Sequence, residues 1–504
     1  MDRALKRVSL AALVMFLLLL VNANYLQAFE APSLASDPEN ARAAAASNQY
    51  IRGNITTSDG QVIASTKPTA PGSFYKYQRY YTNGPVYAPV TGNDTLYSSS
   101  GVEHAEDALL SGNGDQLAFR NFIDMITNKP QKGATVQLTI NSKAQQAAYQ
   151  ELARTLQGTN KVGGVVALNP STGAILAMAS WPSYNPNELT TTNGTQLNKL
   201  VGAGGSLITQ SPSPLTNQAT QALLPPGSTF KIVTSSAWFT QDTSRTVNTQ
   251  VPAPQTLQLP QTTNILHNDS NEVCSPSGNN QATVLYAFAK SCDTTFGDLG
   301  MILGGSTLSA MAQKFGMNTQ GFSIPGVSAS TSAYQIPASS ALTAYSAIGQ
   351  FDDTATALQE AMFSAAIANN GTLMKPYLIQ QAIASDLSVV DSTQPSVFSQ
   401  PVTPQVAGNI QQMMTAVMQQ PEGTGNAFNS NATGGVVIAG KTGTSQTING
   451  QHPDAVFTGY APSASGKTPK IAVGVMIQAG GYGAQAALPI AVKVIQAYLG
   501  SVGQ

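Results

Sequence analysis

Hydrophobic and polar positions divide this chain into three stretches of different character. The first is an apolar run from Val8 to Val21 behind a basic tip carrying Arg3, Lys6 and Arg7. A basic segment followed by an apolar one is an export pattern, and it keeps the positive residues inside and sends the rest outside. Tyr25, Leu26 and Phe29 extend the run to about 20 residues, the length of a membrane span. Val21-Asn22-Ala23 also fits a cleavage site, so the residues alone leave a cleaved signal and an uncleaved anchor both open. Between residues 30 and 130 the pattern breaks into short mixed elements rich in turn residues, and Arg52 to Ile55 opens an extended stretch that ends in Gln61 to Ala64.

Longer periodicities follow. Val136 to Ile140 reads as a strand, and Ala144 to Leu156 has the period of a helix. Gly163 to Leu168 and Ala174 to Ser180 are apolar runs joined by Asn169-Pro170-Ser171-Thr172-Gly173, which predicts a hairpin. Residues 186–222 are rich in Thr, Asn, Ser, Gly and Gln and read as a loop-heavy excursion. An apolar helix starts after Ser228, and the helix Ala357 to Ala368 is stopped by Asn369-Asn370-Gly371. Strand logic returns at Val436 to Ala439, Phe457 to Tyr460 and Ile471 to Ile477, and Ile490 to Leu499 is a closing amphipathic helix. The order predicts an α+β fold whose first and last segments share one sheet. No internal repeat is visible.

The 504 residues allow two or more domains, and a 42% hydrophobic fraction suits a buried core. A net charge of −1 gives no field that would favour nucleic acid or anionic lipid, so no nucleic-acid partner is expected. Only 10% of residues are charged, well below the usual ~25%. Either the outer face meets acid, where fewer carboxylates make stability less dependent on pH, or composition has drifted. Cys274 and Cys292 are either a disulfide, closing a loop of about 18 residues worth roughly 3 kcal/mol, or two free buried thiols. His104, His267 and His452 are scattered without ligand spacing, so no metal and no other cofactor is expected.

The chemistry sits in two short motifs. Ser228-Thr229-Phe230-Lys231 follows Pro225-Pro226-Gly227, which stops the preceding chain. On a helix starting at Ser228, Lys231 lies one turn away on the same face. A serine hydroxyl needs a base to become a nucleophile, and a buried lysine supplies one because desolvation lowers its pKa. The helix N-terminus adds donors for an oxyanion. Three scattered histidines argue against a Ser-His-Asp triad. A second copy, Ser73-Phe74-Tyr75-Lys76, lacks an apolar helical face and reads as surface chain.

The second motif is Lys441-Thr442-Gly443-Thr444. Gly435, Gly440, Lys441 and Thr442 also fit the phosphate-binding spacing Gly-x4-Gly-Lys-Thr, but that loop needs a strand before it and a helix after it. Here the apolar residues lie inside the spacer and no helix start follows. On an edge strand, Gly443 leaves room for a substrate to pair, and Lys441 with the hydroxyls of Thr442 and Thr444 meets a carboxylate.

Between the two lies Ser291-Cys292-Asp293. Ser-x-x-Lys, Ser-x-Asn and Lys-Thr-Gly in this order resemble the set shared by penicillin-binding proteins and class A β-lactamases. Ser291 fits the middle serine, whereas Asp293 stands where the family has Asn and adds a negative charge there unless protonated or paired with a lysine. Asn22-Ala23-Asn24-Tyr25, Arg52-Gly53-Asn54-Ile55, Tyr87 to Gly92, Gly164 to Gly173 and Ala366 to Gly371 extend the likeness. Over nearly its whole length the chain resembles an actinobacterial-type class B penicillin-binding protein of the penicillin-binding protein A group.

The resemblance implies an uncleaved anchor over 1–29, a non-catalytic pedestal over 30–132 and a β-lactamase-like transpeptidase domain over 133–504, with a central antiparallel sheet flanked by helices. It implies a membrane-anchored peptidoglycan D,D-transpeptidase facing outward, acting on stem peptides, acylated by β-lactams, and working beside a membrane glycosyltransferase. By the same resemblance Ser228 attacks, Lys231 takes its proton, Ser291 relays protons and Lys441 supports it. Asp293, Thr442, Gly443 and Thr444 bind substrate, and the N–H groups of Ser228 and Thr444 hold the oxyanion.

A β-lactamase would need a water-activating glutamate, and neither Glu360, inside an apolar helix, nor Glu422 has the context for one. A D,D-carboxypeptidase shares all three motifs. A penicillin-binding scaffold disabled by Asp293 is the non-enzyme reading.

Overall fold

The computed structural model describes residues 2–30, 50–73, 75–114, 132–320, 323–446 and 452–503. Phe74 of the second Ser-x-x-Lys copy and residues 447–450 after the Lys-Thr-Gly motif lie outside them. In chain order the elements that build the site and its support include α1 (Asp2–Tyr25), β1 (Ile55–Thr56), β2 (Val62–Pro68), β3 (Tyr77–Tyr81), α2 (Gly84–Thr91), α3 (Gly101–Ala105), β4 (Thr135–Leu138) and α4 (Ser142–Leu156). Next come β5 (Gly163–Leu168), β6 (Ile175–Trp181), α5 (Lys231–Gln241), β7 (Thr256–Gln258), β8 (Ile265–His267), α6 (Val284–Ala289), α7 (Asp293–Leu303) and α8 (Ala357–Ala368). The chain continues through β9 (Ile379–Ile383), β10 (Val389–Ser392), α9 (Pro404–Gln419), β11 (Ala439–Ser445), β12 (Asp454–Ala461), β13 (Ile471–Ile477) and α10 (Gly483–Ser501).

The central sheet has the order β11-β12-β13-β5-β6, antiparallel throughout. The hairpin and the C-terminal strands therefore share one sheet, joined by β13 against β5 with Val475 opposite Val165. Both faces are covered. The helices α4 and α10 pack on the strands and on each other, and α8 packs against β5, β12 and β13. Double coverage explains why β5, β12 and β13 are buried at every residue and read as continuous apolar runs rather than as alternation.

Local signals set the helix ends. The Asn141 side chain accepts from Ala144 N and starts α4, whose buried stripe is Ala144, Ala148, Leu152 and Leu156. Thr356 caps α8 in the same way, and all twelve of its residues are buried. A helix enclosed on all sides needs no polar face, so its apolar pattern lacks a stripe. Within the 186–222 excursion the structure also forms a helix, Gly194–Val201, started by the Asn193 side chain accepting from Thr195 N and Gln196 N. The Asn and Thr residues that mark turns are also the best N-caps, so the loop reading missed it.

A second sheet, ordered β10-β9-β4-β1-β2-β3, supports the first domain. It draws β9 and β10 from far downstream, a pairing that no local pattern announces. Its core holds a buried charge cluster. Glu103 on α3 is fully buried and accepts from Arg52 Nε at 2.7 Å, Arg79 Nε at 2.6 Å and Tyr81 Oη at 3.1 Å. The two guanidiniums hold the Glu103 carboxyl below its ordinary range although burial alone would raise it. The second Ser-x-x-Lys copy runs into β3 of this sheet. At the N-terminus, Leu5–Tyr25 forms a 21-residue stretch of α1 that is long and apolar enough to cross a membrane, and among the described residues it is not buried. Cys274 and Cys292 are joined as a disulfide.

Candidate active site

Ser228 lies in a 3₁₀ turn, Gly227–Phe230, which runs directly into α5 at Lys231. Helical spacing predicts an α-helix from Ser228; the tighter turn follows from the preceding Pro-Pro-Gly and from crowding. Gly227 has φ 57° and its N–H donates to Gly349 O at 2.9 Å. A Cβ at Gly227 would lie 3.0 Å from Thr444 O, so only glycine lets this turn rest on β11.

Lys231 is fully buried. Its Nζ is 2.6 Å from Asp293 Oδ1, 2.7 Å from Ser291 O and 3.2 Å from Ser291 Oγ. Three acceptors match the three protons of an ammonium. Burial lowers the Lys231 pKa and the Asp293 carboxylate pushes it back up, with burial the larger effect. Lys441, also fully buried, lies 2.7 Å from the same Ser291 Oγ and donates to Thr442 O at 3.0 Å. Burial, with Lys231 nearby, drives the Lys441 pKa well below the ordinary lysine value. One serine hydroxyl thus bridges two buried amines, the arrangement a proton relay needs.

Ser291 gets there by an unusual backbone. It lies between Lys290, the C-cap of α6, and Cys292, the N-cap of α7, and it has φ 65°, the left-handed region uncommon for a residue with a Cβ. Asp293 opens α7, and its negative charge is paired with Lys231 rather than facing an empty subsite.

On the opposite wall, β11 is the edge strand, as expected for the Lys-Thr-Gly segment, and Lys441 and Thr442 lie within it, opposite Thr458 and Phe457 of β12, rather than in a phosphate loop. Thr442 Oγ1 is 2.6 Å from Thr424 Oγ1. Thr444 O accepts from Gln350 Nε2 at 3.4 Å, so this carbonyl points away from β12. In a strand the N–H and C=O of one residue share a side, so the Thr444 N–H points out beside Ser228. Gly443 also serves packing: a Cβ there would be 2.8 Å from Pro226 O and 3.1 Å from Thr229 Cγ2.

Ser228, Ser291, Asp293, Thr442 and Thr444 all line one cleft of about 790 Å³. Lys231 and Lys441 do not line it but reach it from within the core through Ser291 Oγ, and Gly443 is buried behind its lining. The cleft also includes residues that the sequence reading missed: Gln350, Thr424, Tyr482, and His267 and Asp269 at the β7–β8 ribbon. None of them lies next to a motif along the chain, and no local pattern marks them; the fold alone brings them to the cleft. Among the described residues, no group of three or more His, Cys, Asp or Glu side chains could hold a metal.

A serine turn leading into a buried lysine, facing a Lys-Thr-Gly edge strand on a clasped antiparallel sheet, defines the penicillin-interacting serine acyltransferases as a class. Residues 163–496 match the penicillin binding protein transpeptidase domain, and residues 52–136 match the penicillin binding protein A dimerisation domain. The chain belongs to the penicillin-binding protein transpeptidase family. It is 39% identical to the peptidoglycan D,D-transpeptidase PbpA of Mycolicibacterium smegmatis, covering 95% of this chain and 94% of that one. It is 36% identical to the Mycobacterium tuberculosis PbpA over 99% of both. Its fold is similar to solved structures of M. tuberculosis penicillin-binding protein A. The ceftriaxone acyl-enzyme gives TM-score 0.81 at 34% identity, covering 90% of this chain and 100% of that one. The penicillin G acyl-enzyme gives 0.80 at 35%, with the same coverage.

Proposed function

We propose that this protein is a peptidoglycan D,D-transpeptidase that works through an acyl-enzyme on Ser228 and is acylated by β-lactams. The observation that carries the reading is Ser291 Oγ held between the buried amines of Lys231 and Lys441 at the cleft that Ser228 lines. Neutral Lys231 takes the Ser228 proton as the hydroxyl attacks the penultimate D-alanine carbonyl of a stem peptide. The N–H groups of Ser228 and Thr444 receive the oxyanion. Ser291, supported by Lys441, passes a proton to the departing D-alanine. Thr442, Thr444 and Asp293 line the peptide's binding track, and an amine from a neighbouring stem resolves the acyl-enzyme. The same reading takes residues 1–29 as a single-pass anchor, 30–132 as a pedestal and 133–504 as an outward-facing catalytic domain, with β4, β9 and β10 from that last span completing the pedestal sheet. A membrane glycosyltransferase would make the strands that this protein cross-links.

Intact-mass spectrometry of wild type and Ser228→Ala with penicillin G, followed by a D-alanyl-D-alanine stem peptide with an amine acceptor, tests it. The expected result is an adduct on wild type only, then release of D-alanine with an amide product. An acid product alone would make it a carboxypeptidase. The Lys231–Asp293 ion pair favours one other reading, a scaffold whose base stays protonated, and that reading predicts no adduct at any pH.

A further inference from the structure

Glu360 is a carboxyl group enclosed by apolar neighbours. It lies on α8 and is fully buried. Its Oε1 is 3.0 Å from Thr229 Oγ1, and its Oε2 has no partner. Of the elements packed on α8, β5, β13, α9 and the short segments 218–221 and 373–374 carry no ionisable side chain. Strand β12 carries Asp454 and Tyr460, and Lys231 follows the serine turn. Among the described residues none of these bonds to the carboxyl. A carboxylate here would be an isolated buried charge.

Thr229 stands between Ser228 and Lys231 in the first motif. Its Oγ1 is also 2.8 Å from Pro226 O. A hydroxyl has one proton, and a carbonyl can only accept. Both contacts are made only if Thr229 donates to Pro226 and Glu360 donates to Thr229. The Pro226 carbonyl in turn abuts Gly443, where a Cβ would lie 2.8 Å from it. The row Glu360, Thr229, Pro226 therefore ends at the joint between the serine turn and β11.

We propose that Glu360 is a positioning residue for acylation: as a neutral carboxylic acid it donates to Thr229 Oγ1, Thr229 donates to the Pro226 carbonyl, and the serine turn is held against β11. The inference rests on Ser228 being the nucleophile. Burial raises the Glu360 carboxyl from 4.5 to about 8, so the acid keeps its proton at neutral pH. Once it ionises, Thr229 turns its proton to the carboxylate, and the Pro226 carbonyl loses its donor beside Gly443. Acylation then has an alkaline limb that belongs to Glu360 and to neither lysine.

The test is the second-order rate of acylation of the full-length protein by a fluorescent penicillin across pH, for wild type, Glu360→Gln and Thr229→Val. Gln donates at every pH. The ratio of wild-type to Glu360→Gln rate should therefore be flat through neutrality and fall, by up to about tenfold per pH unit, above about pH 8. Thr229→Val, which keeps the shape and removes the relay, should lose the same limb. A ratio constant within about twofold across the range, with circular dichroism showing both proteins folded, overturns the inference. If Glu360→Gln does not fold, Thr229→Val decides: a limb that survives in it overturns the proposal. An adduct that persists in Ser228→Ala would instead overturn the nucleophile assignment on which this rests.

Discussion

Asp293→Asn should move the pH dependence of acylation toward acid. In the wild type the carboxylate lies 2.6 Å from Lys231 Nζ, with the lysine side chain fully buried and the aspartate side chain 19% exposed. At an effective dielectric of about 20, that separation corresponds to an attraction of about 6 kcal/mol. The asparagine oxygen keeps a hydrogen bond to the ammonium and restores about 2–3 kcal/mol. The net loss, about 3–4 kcal/mol, falls on the protonated amine alone, so the acid limb should move down by about two to three pH units. The sign follows from the charge. Removing the counter-ion destabilises the ammonium, so neutral Lys231 is present at lower pH and the variant acylates faster than wild type below the limb. The assay is the time course of penicillin adduct formation by the full-length protein in detergent, at a series of pH values, with thermal unfolding to check the fold. A limb that stays put, or a variant no faster than wild type in acid, would refute the role of Asp293 in setting the Lys231 proton.

Glu360→Gln should flatten stability against pH. The folded state binds an extra proton between the ordinary 4.5 and about 8, so wild-type stability declines as pH rises through that window and levels off above it, by about 5 kcal/mol in all; urea unfolding at the two ends checks this. Replacing Cys274 and Cys292 together by Ala removes the disulfide across an 18-residue separation and should cost about 3 kcal/mol, read by the same unfolding midpoint. Glu103→Ala leaves Arg52 and Arg79 buried without their carboxylate and should cost about 3–5 kcal/mol in the first domain, while the penicillin acylation rate of the folded protein stays unchanged.

Whatever depends on near neighbours was legible along the chain. The hairpin at 163–181, the helix 357–368 with its Asn-Asn-Gly stop, and the two motifs bearing Ser228 and Lys441 follow from period, turn chemistry and spacing within one or two turns. Their order was enough to imply a shared sheet and a lysine-activated serine. Other features hang on contacts between residues far apart, which carry no local signature. The closing of β13 on β5, the recruitment of β9 and β10 into the first domain's sheet, and the meeting of Lys231, Ser291 and Lys441 are all of this kind. Asp293 reads as an added charge that needs a proton or a lysine, and only the fold decides for Lys231; Glu360 reads as one polar position in an apolar helix until the fold encloses it against Thr229. The physical reason is common to both. A side chain's type fixes what it can donate or accept, but its protonation depends on how much water tertiary packing removes and which partner it brings within bonding distance.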